Sequence, residues 1–366
     1  MKILMISPYM PWPLHVGSSV RIFNLLKGMA GRGHEIILLQ GVNDLLADTE
    51  VEVKKLCKKI YKYNLPKEGY LKFLFRSIFS YKIYPALRFQ DDGFRDVLSK
   101  ILLENKFDII WVNFAVVVDM LWAGLKNDVP VVLDQHESER LVYLGYLNRG
   151  SLLERIFAIL NLAKLKNFEG KTFSKVNAVL SVSNVEAEVT KKSVKGNGKV
   201  IVVPNGVKDE FLDSSNDVKR KSNLILLCAN MTVRRNIDAA VWFANKIFPI
   251  VKRVIPNVEF WIVGREPSVK VKKLSSMAGV KVVGTVENIK EYYDVGSVFV
   301  APYRFGAGTK LKILEAMASG IPVVSTSVGC QGIDALDGEQ ILIGDSPKDF
   351  SEKIIDILSN KNIADK

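Results

Sequence analysis

Cysteine is scarce in this chain of 366 residues, and its three copies lie far apart. Cys57, Cys228 and Cys330 form no Cys-x-x-Cys pair, which argues against a structural zinc site and indicates a reducing compartment. No long apolar run is uninterrupted: the most apolar stretch, FDIIWVNFAVVVDMLWAGL, is broken by Asn113 and Asp119, which argues against a membrane span. The opening MKILMIS is too short for a signal peptide and predicts a buried first strand.

Two further absences narrow the class of protein. No paired zinc ligands or RNP-like aromatic stretch occurs, so nucleic acid is not expected as a partner. No glycine-rich turn follows the first strand closely, which counts against a nicotinamide-dependent dehydrogenase. Lysine plus arginine number 51 and aspartate plus glutamate 39, a net charge of +12. That balance suits anionic lipid or phosphorylated small molecules, and solubility alone is the alternative explanation.

Short β-branched runs alternate with amphipathic segments along the whole chain, which predicts an α/β fold. Because the polar stretch 204–223 reads as a linker, we expect two Rossmann-like, doubly wound parallel-sheet domains, 1–208 and 209–366, facing a cleft. Ligands of such sheets bind beyond the carboxyl ends of the strands. Two segments, 66–104 and 137–170, combine apolar and basic residues. They can lie on a membrane surface or pack on the domain with their charges in water.

The stretch RFGAGTKLKILEAMASGIPVVST, residues 304–326, carries the strongest chemical signal. Gly306 and Gly308 allow a tight turn at a strand's carboxyl end. A helix is expected to begin near Thr309, so its unpaired amides can bind an anion. Lys310 and Lys312 add positive charge, and a diphosphate is the expected ligand.

Glu315 follows within that helix, among apolar neighbours. A carboxylate in such surroundings needs a partner, and the two hydroxyls of a ribose would provide one. The alternative is a plain strand-turn-helix in which Glu315 is ion-paired within the protein.

The segment GAGTKLKILEAMASGIPVVSTSVG resembles the sugar-donor signature of the GT-B glycosyltransferases of family 4. VPNGV at 203–207, LSVSNVEAEV at 180–189 and GHEI at 33–36 resemble other motifs of that family. NIDAAVWF, IFP and NVEFWIVG are similar to a bacterial subgroup that acts in polysaccharide assembly. The likeness spans nearly the whole chain.

The resemblance implies roles for single positions of the C-terminal half. Glu315 matches the second glutamate of the family's paired motif, which holds the nucleotide ribose. Ala307 stands where the first glutamate normally touches the donor sugar, so the family's rules for the donor hexose do not transfer. The amides of Gly308, Thr309 and Lys310 remain for sugar hydroxyls or phosphate.

Three more positions receive roles from the resemblance. Arg234 or Arg235, in the loop CANMTVRRN, is expected to grip the diphosphate, since arginine can form two parallel hydrogen bonds to phosphate. Gly17 matches a glycine near the diphosphate and acceptor, and Ser18 and Ser19 look like caps of the helix that follows. His136 matches a histidine that contacts the donor sugar.

The resemblance implies a glycosyltransferase that moves a sugar from a UDP- or GDP-linked donor to an acceptor hydroxyl with retention, in cell-surface polysaccharide or glycolipid synthesis. His136, Lys312 and Arg234 are the catalytic candidates. No Asp-x-Asp pair is positioned as in the other common glycosyltransferase fold, so no metal or other cofactor is expected.

The expected partners are a nucleotide sugar, a saccharide or lipid-linked acceptor and an anionic membrane surface, in a cytoplasmic protein that can lie peripherally on the inner face of the membrane. Two alternatives stay open: a sugar-nucleotide 2-epimerase of the same fold, and a non-catalytic binder of nucleotide sugars or polyanions.

Overall fold

The computed structural model describes residues 1–14, 16–42, 51–65, 80, 83, 86, 93–121, 129–194, 198–212 and 220–360. The chain forms two compact units, 1–205 and 206–366. The division falls between Asn205 and Gly206, whereas the sequence placed it after residue 208.

A seven-stranded parallel sheet forms the centre of the N-terminal unit. Its strands are β1 (Lys2–Ser7), β2 (Glu35–Val42), β3 (Lys59–Asn64), β4 (Ile109–Asn113), β5 (Val131–Gln135), β6 (Ala178–Ser181) and β7 (Lys199–Val202). The order is β3-β2-β1-β4-β5-β6-β7. The chain therefore changes direction between β1 and β4, and such a switch point opens a crevice for ligands at the carboxyl ends of the strands.

The helices of this unit connect successive strands. They are α1 (Gly17–Gly31), α2 (Val51–Lys54), α3 (Gly93–Glu104), α4 (Ala115–Leu121), α5 (Glu139–Arg149), α6 (Leu152–Phe173) and α7 (Asn184–Lys191). The helical region expected at 137–170 is thus two helices, α5 and α6. Gly150 is extended between them, and Ser151 caps α6 in a reciprocal capping box with Glu154.

Six of the seven strands match β-branched runs of the sequence, and β3 was missed; the runs are KILMIS, HEIILLQ, FDIIWV, VPVVLD, NAVLSVS and KVIVVP. Strands β1 and β2 are nearly all buried, as continuous apolar runs in a parallel sheet should be. The missed strand, KIYKYN, lies at the edge of the sheet, and only its fifth residue, Tyr63, is buried, so it has no continuous apolar run.

The C-terminal unit contains a six-stranded parallel sheet of the same design. Its strands are β8 (Leu224–Cys228), β9 (Glu259–Val263), β10 (Val280–Gly284), β11 (Val298–Ala301), β12 (Val323–Ser325) and β13 (Leu342–Ile343). The order is β10-β9-β8-β11-β12-β13, so the switch point lies between β8 and β11. The predicted fold class, two parallel-sheet α/β domains, is confirmed.

The main helices of this unit are α8 (Arg234–Trp242), α9 (Phe248–Val254), α10 (Val269–Lys272), α11 (Lys290–Val295), α12 (Leu311–Ala318) and α13 (Pro347–Ser359). A π-helical segment, Phe243–Ile247, joins α8 to α9. Helix α12 begins at Leu311 with Lys310 as its N-cap, two residues later than the predicted start at Thr309.

The predicted linker, 204–223, packs against the C-terminal unit in its described parts. Phe211 lies in a short 3-10 helix and is fully buried against Tyr293. The Arg220 guanidinium donates hydrogen bonds to the carbonyls of Tyr293, Gly296 and Ser319. The sequence pattern did not predict the packing of Phe211 and Arg220, because a composition rich in Asn, Asp and Ser indicates a linker.

The segment 66–104, for which a membrane surface and packing on the domain are the two alternatives, lies outside the described residues, apart from 80, 83, 86 and helix α3. Among the helices that the structure describes, none is both long and apolar enough to cross a bilayer.

Candidate functional site

The loop between β11 and α12, residues 302–310, leaves the sheet at the switch point of the C-terminal unit. Gly306 and Gly308 have φ angles of 133° and 72°, in the region that side chains other than glycine avoid. These two residues turn the chain so that Phe305 and Ala307 are buried beneath the loop. The predicted need for glycine at both positions thus has a backbone cause.

Lys310 was expected to add positive charge to a diphosphate site, and the structure gives its side chain partners within the loop. The residue is buried, and its Nζ donates hydrogen bonds to the carbonyls of Ala307 (3.0 Å) and Gly308 (2.7 Å). The side chain therefore folds back and holds the loop closed. Its positive charge lies inside the loop, and its backbone amide lies at the N-terminus of α12, where an anion is stabilised.

Glu315 is only 2% exposed, and the protein itself supplies its partners. Lys312 Nζ lies 2.9 Å from Oε2, and the Tyr293 hydroxyl donates to the same oxygen at 3.1 Å. Burial and the Glu315 charge raise the pKa of Tyr293 well above its usual value, so the hydroxyl remains a donor. The ion-paired alternative therefore describes the structure, and the bonds from Lys312 and Tyr293 both end on Oε2.

Two arginines at the start of α8 reach the same loop. A Cβ placed on Gly306 would lie 2.9 Å from Arg235 Cδ, so the Arg235 side chain passes directly over the backbone of that glycine. The Arg234 guanidinium lies 5.9 Å from the ring centroid of Phe305. The structure thus brings together residues about 70 positions apart that the sequence analysis assigned to one phosphate site.

An ion pair that the sequence analysis missed fixes the loop to α8. Arg304 donates to both carboxylate oxygens of Asp238, at 2.6 and 2.9 Å, and its guanidinium lies 5.5 Å from the ring centroid of Trp242. Arginine is suited to this bidentate, stacked geometry. Because these residues come from two distant elements, no local pattern indicates the pair.

In the N-terminal unit, His136 follows β5 directly and its side chain is 6% exposed. Its Nε2 lies 3.3 Å from both Asp134 Oδ2 and Asn113 Oδ1. The Phe114 ring packs on the imidazole at a centroid distance of 4.2 Å. Phe114 has a φ angle of 71°, an unusual conformation for an aromatic residue that is maintained next to this histidine.

The second nitrogen of His136 is buried, and within the described part of the chain it has no hydrogen-bond partner. In the tautomer that directs Nε2–H at the Asp134 carboxylate, Nδ1 is an acceptor. Buried polar atoms are nearly always satisfied, so this nitrogen, beyond the carboxyl end of β5, is an exception among the described residues.

A buried ion pair missed by the sequence analysis supports this histidine. Arg21 donates from Nε and Nη2 to the Asp134 carboxylate, with a closest distance of 2.6 Å. Its Nη1 donates to the Val203 carbonyl and to Asn205 Oδ1, both at 2.9 Å. Burial alone would raise the pKa of Asp134, but the hydrogen bonds from His136 and Arg21 outweigh burial and lower it.

Gly17 is the first residue of α1 and is exposed. The predicted serine caps were wrong: the N-cap is Val16 and makes no side-chain cap, and the Ser19 hydroxyl instead donates to the Met10 carbonyl. Gly17 therefore lies at the start of the helix that follows β1.

Burial raises the pKa of the Cys57 thiol to about 12, and it also raises the pKa values of Cys228 and Cys330. These thiols are poor nucleophiles at neutral pH. Among the described residues, no group of three His, Cys, Asp or Glu side chains could hold a metal ion.

Comparison with known proteins gives two family matches that together span most of the chain. Residues 16–211 match the profile described as Glycosyltransferase Family 4, and residues 222–360 match that of Glycosyl transferases group 1. A Klebsiella pneumoniae protein, described as an uncharacterized 44.6 kDa protein in cps region, is 24% identical over 98% of this chain and 91% of its own length.

Two solved structures show the same fold. Sucrose-phosphate synthase from Thermosynechococcus elongatus has a TM-score of 0.74 at 17% identity, covering 100% of this chain and 91% of its own. Anabaena HepE, solved in complex with UDP and glucose, has a TM-score of 0.66 at 13% identity, covering 100% and 93%.

Proposed function

Because the chain belongs to glycosyltransferase family 4 and has the GT-B fold, we propose that it moves a sugar from a nucleotide diphosphate sugar to an acceptor hydroxyl. One observation carries the proposal: the loop 302–310 of the C-terminal unit, with Arg234 and Arg235 beside it and Lys312 in the first turn of α12, combines backbone amides with cations. This is the chemistry that a diphosphate needs.

The proposed work of these groups is to stabilise the leaving diphosphate. As the bond to the sugar breaks, negative charge grows on the phosphate oxygens, and prepositioned donors lower the barrier. Arg235 is held over Gly306, so it need not reorganise during the reaction. We expect these cations and amides to balance the charge without a metal, which unchanged turnover in excess EDTA would support.

Glu315 would hold the ribose through Oε1. Lys312 and Tyr293 fix the carboxylate through Oε2, and the remaining oxygen can accept a hydrogen bond from a ribose hydroxyl. In this proposal the ion pair orients the carboxylate instead of competing with the ligand. Ala307, buried where family members carry a glutamate, leaves one sugar contact absent, so the donor sugar has to be found by screening.

The family resemblance gives His136 a contact with the donor sugar. Its Nδ1 can accept a hydrogen bond from a sugar hydroxyl, while Asn113, Asp134 and Phe114 fix the ring. Retention at the anomeric carbon is proposed from the family resemblance. The Klebsiella relative, described by its place in a cps region, supports a role in polysaccharide assembly.

The test is a panel of UDP- and GDP-linked sugars, in which slow hydrolysis is measured without acceptor and transfer is measured with lipid-linked and free saccharides. We expect turnover of at least one donor. An epimerase would instead release an isomerised nucleotide sugar, and a binding protein would show a thermal shift with no turnover. NMR of the product's anomeric proton would test retention.

A lysine pair provides the matched control for this panel. Lys312→Ala should lower kcat/KM by about tenfold to a hundredfold, because it removes one charge from the phosphate site. Lys290→Ala breaks a comparable ion pair, with Asp294 at 2.8 Å within α11 of the same unit, and should leave kcat/KM unchanged. Equal rates for wild type and Lys312→Ala would refute the assignment.

A further inference from the structure

Helix α6 has an exposed apolar face that no described part of the chain covers. Five aliphatic side chains form this face, with exposed fractions of 74%, 79%, 47%, 58% and 36%: Leu152, Leu153, Ile156, Ile159 and Leu160. Their spacing follows one side of an α-helix. Isolated exposed leucines are common, but a contiguous stripe of five marks a site of interaction.

The same helix has a second, buried stripe that packs on the domain. Its members are Ala158, Asn161, Leu165, Glu169, Thr172 and Phe173. At 3.6 residues per turn, this stripe lies opposite the exposed face. One side of α6 is therefore part of the hydrophobic core, and the exposed leucines and isoleucines on the other side are not needed for folding.

Cations flank the exposed face, while the nearby acids are already engaged. Arg149, Arg155, Lys166 and Lys171 are exposed. Glu154 completes the capping box of the helix, and Glu169 is buried against Arg140 at 2.6 Å. Over residues 139–175 the sequence has seven Lys or Arg and three Asp or Glu, so the formal charge is 7 − 3 = +4.

We propose that the exposed face of α6 lies flat on the surface of an anionic lipid bilayer, with its aliphatic side chains among the acyl chains and its cations at the headgroups. Apolar residues on one side with lysine and arginine along the edges are the pattern of an interfacial helix. A second copy of the chain suits this face less well, because a two-fold contact would bring the two sets of cations together.

The experiment is vesicle flotation with the full chain and no substrate, so it does not depend on the proposed donor chemistry. Vesicles of phosphatidylcholine with phosphatidylglycerol are compared with vesicles of phosphatidylcholine alone. We expect the wild type to float with the anionic vesicles and to bind less as salt is raised, since the electrostatic part is screened.

The apolar variant combines Leu152→Gln, Ile156→Gln and Ile159→Gln and should lower the partition coefficient about tenfold or more, because it removes the inserted side chains. Its matched control should bind like wild type. The control changes three aliphatic residues of similar exposure elsewhere in the chain: Leu103→Gln, Val254→Gln and Leu336→Gln. All six substitutions are on the surface, and circular dichroism checks the fold.

A charge variant gives an independent readout. Replacing Arg155, Lys166 and Lys171 with glutamine should abolish the preference for anionic vesicles. The control replaces three other exposed lysines, so the net charge is the same, and should keep the preference: Lys270→Gln, Lys273→Gln and Lys348→Gln.

Three results would overturn the proposal. The first is a wild type that floats with neither vesicle at low salt. The second is an apolar control that loses as much binding as the α6 variant. The third is a wild type that sediments as a dimer and ignores vesicles while the apolar variant sediments as a monomer, since a second copy would then cover the face.

Discussion

Replacing Glu315 with glutamine gives the sharpest test of the nucleotide site. The carboxylate is 2% exposed and is fixed through Oε2 by Lys312 and Tyr293 before any ligand arrives. Glutamine keeps the shape and loses the charge. A hydrogen bond to a charged group contributes about 1.5–3 kcal/mol, so Kd for the nucleotide should rise about tenfold to a hundredfold.

The assay is isothermal titration calorimetry with UDP, its 2′,3′-dideoxy analogue and inorganic pyrophosphate, or with the guanosine counterparts if GDP is the nucleotide that binds. If Glu315 holds the ribose diol, the dideoxy analogue should bind wild type and Glu315→Gln equally weakly. Because pyrophosphate has no ribose, its Kd should differ least between wild type and Glu315→Gln. The change in the protein, Glu315→Gln, and the change in the ligand, the dideoxy analogue, therefore form a thermodynamic cycle. It isolates the free energy of one contact, that between Glu315 and the ribose hydroxyls.

The fold should tolerate this substitution. Lys312 is 30% exposed and can turn to water, and the Tyr293 hydroxyl can donate to the amide oxygen of glutamine, so only a small loss of stability is expected. Glu291→Gln, an exposed acid on α11, is the control. If Glu315→Gln binds UDP like wild type, or if the dideoxy analogue binds wild type as tightly as UDP, the ribose assignment fails.

Two further predictions concern the buried ion pair and the loop glycine. Asp134→Asn leaves Arg21 buried without its counter-charge and should destabilise the protein by about 3–5 kcal/mol in urea unfolding. Because the pKa of Asp134 is lowered on folding, its contribution is present above the ordinary carboxyl pKa of about 4 and is lost as pH falls below it. The gap between wild type and variant should therefore narrow in acid, and a constant gap would contradict the linkage. Gly306→Ala adds a Cβ 2.9 Å from Arg235 Cδ at a φ of 133° and should weaken nucleotide binding about tenfold, as measured by calorimetry. Gly338→Ala also places a side chain at a positive φ, 83°, but in open space, so it should leave nucleotide binding unchanged, and an equal loss from both changes would contradict the role of the Arg235 contact.

Local pattern was sufficient to predict the fold. Buried parallel strands read as continuous apolar runs, and helices read as a stripe every three or four residues, so both sheets could be predicted from neighbours in the chain. The exceptions are informative: β3 lies at an edge where one side is wet, and β13 is only two residues long. Neither strand has enough apolar periodicity to be predicted from the sequence.

The sequence by itself determined which kinds of residue stand at the carboxyl ends of the strands, because parallel topology places those ends at one edge. It did not determine which charges pair. Arg21 and Asp134 are 113 positions apart, and Arg235 and Gly306, whose atoms meet in the C-terminal unit, are 306 − 235 = 71 positions apart. Lys310 turns into its own loop, while Lys312, two residues on, reaches Glu315. Burial selects these partners. A charge removed from water needs an opposite charge or a carbonyl within about 3 Å, and only the tertiary structure determines which group lies at that distance.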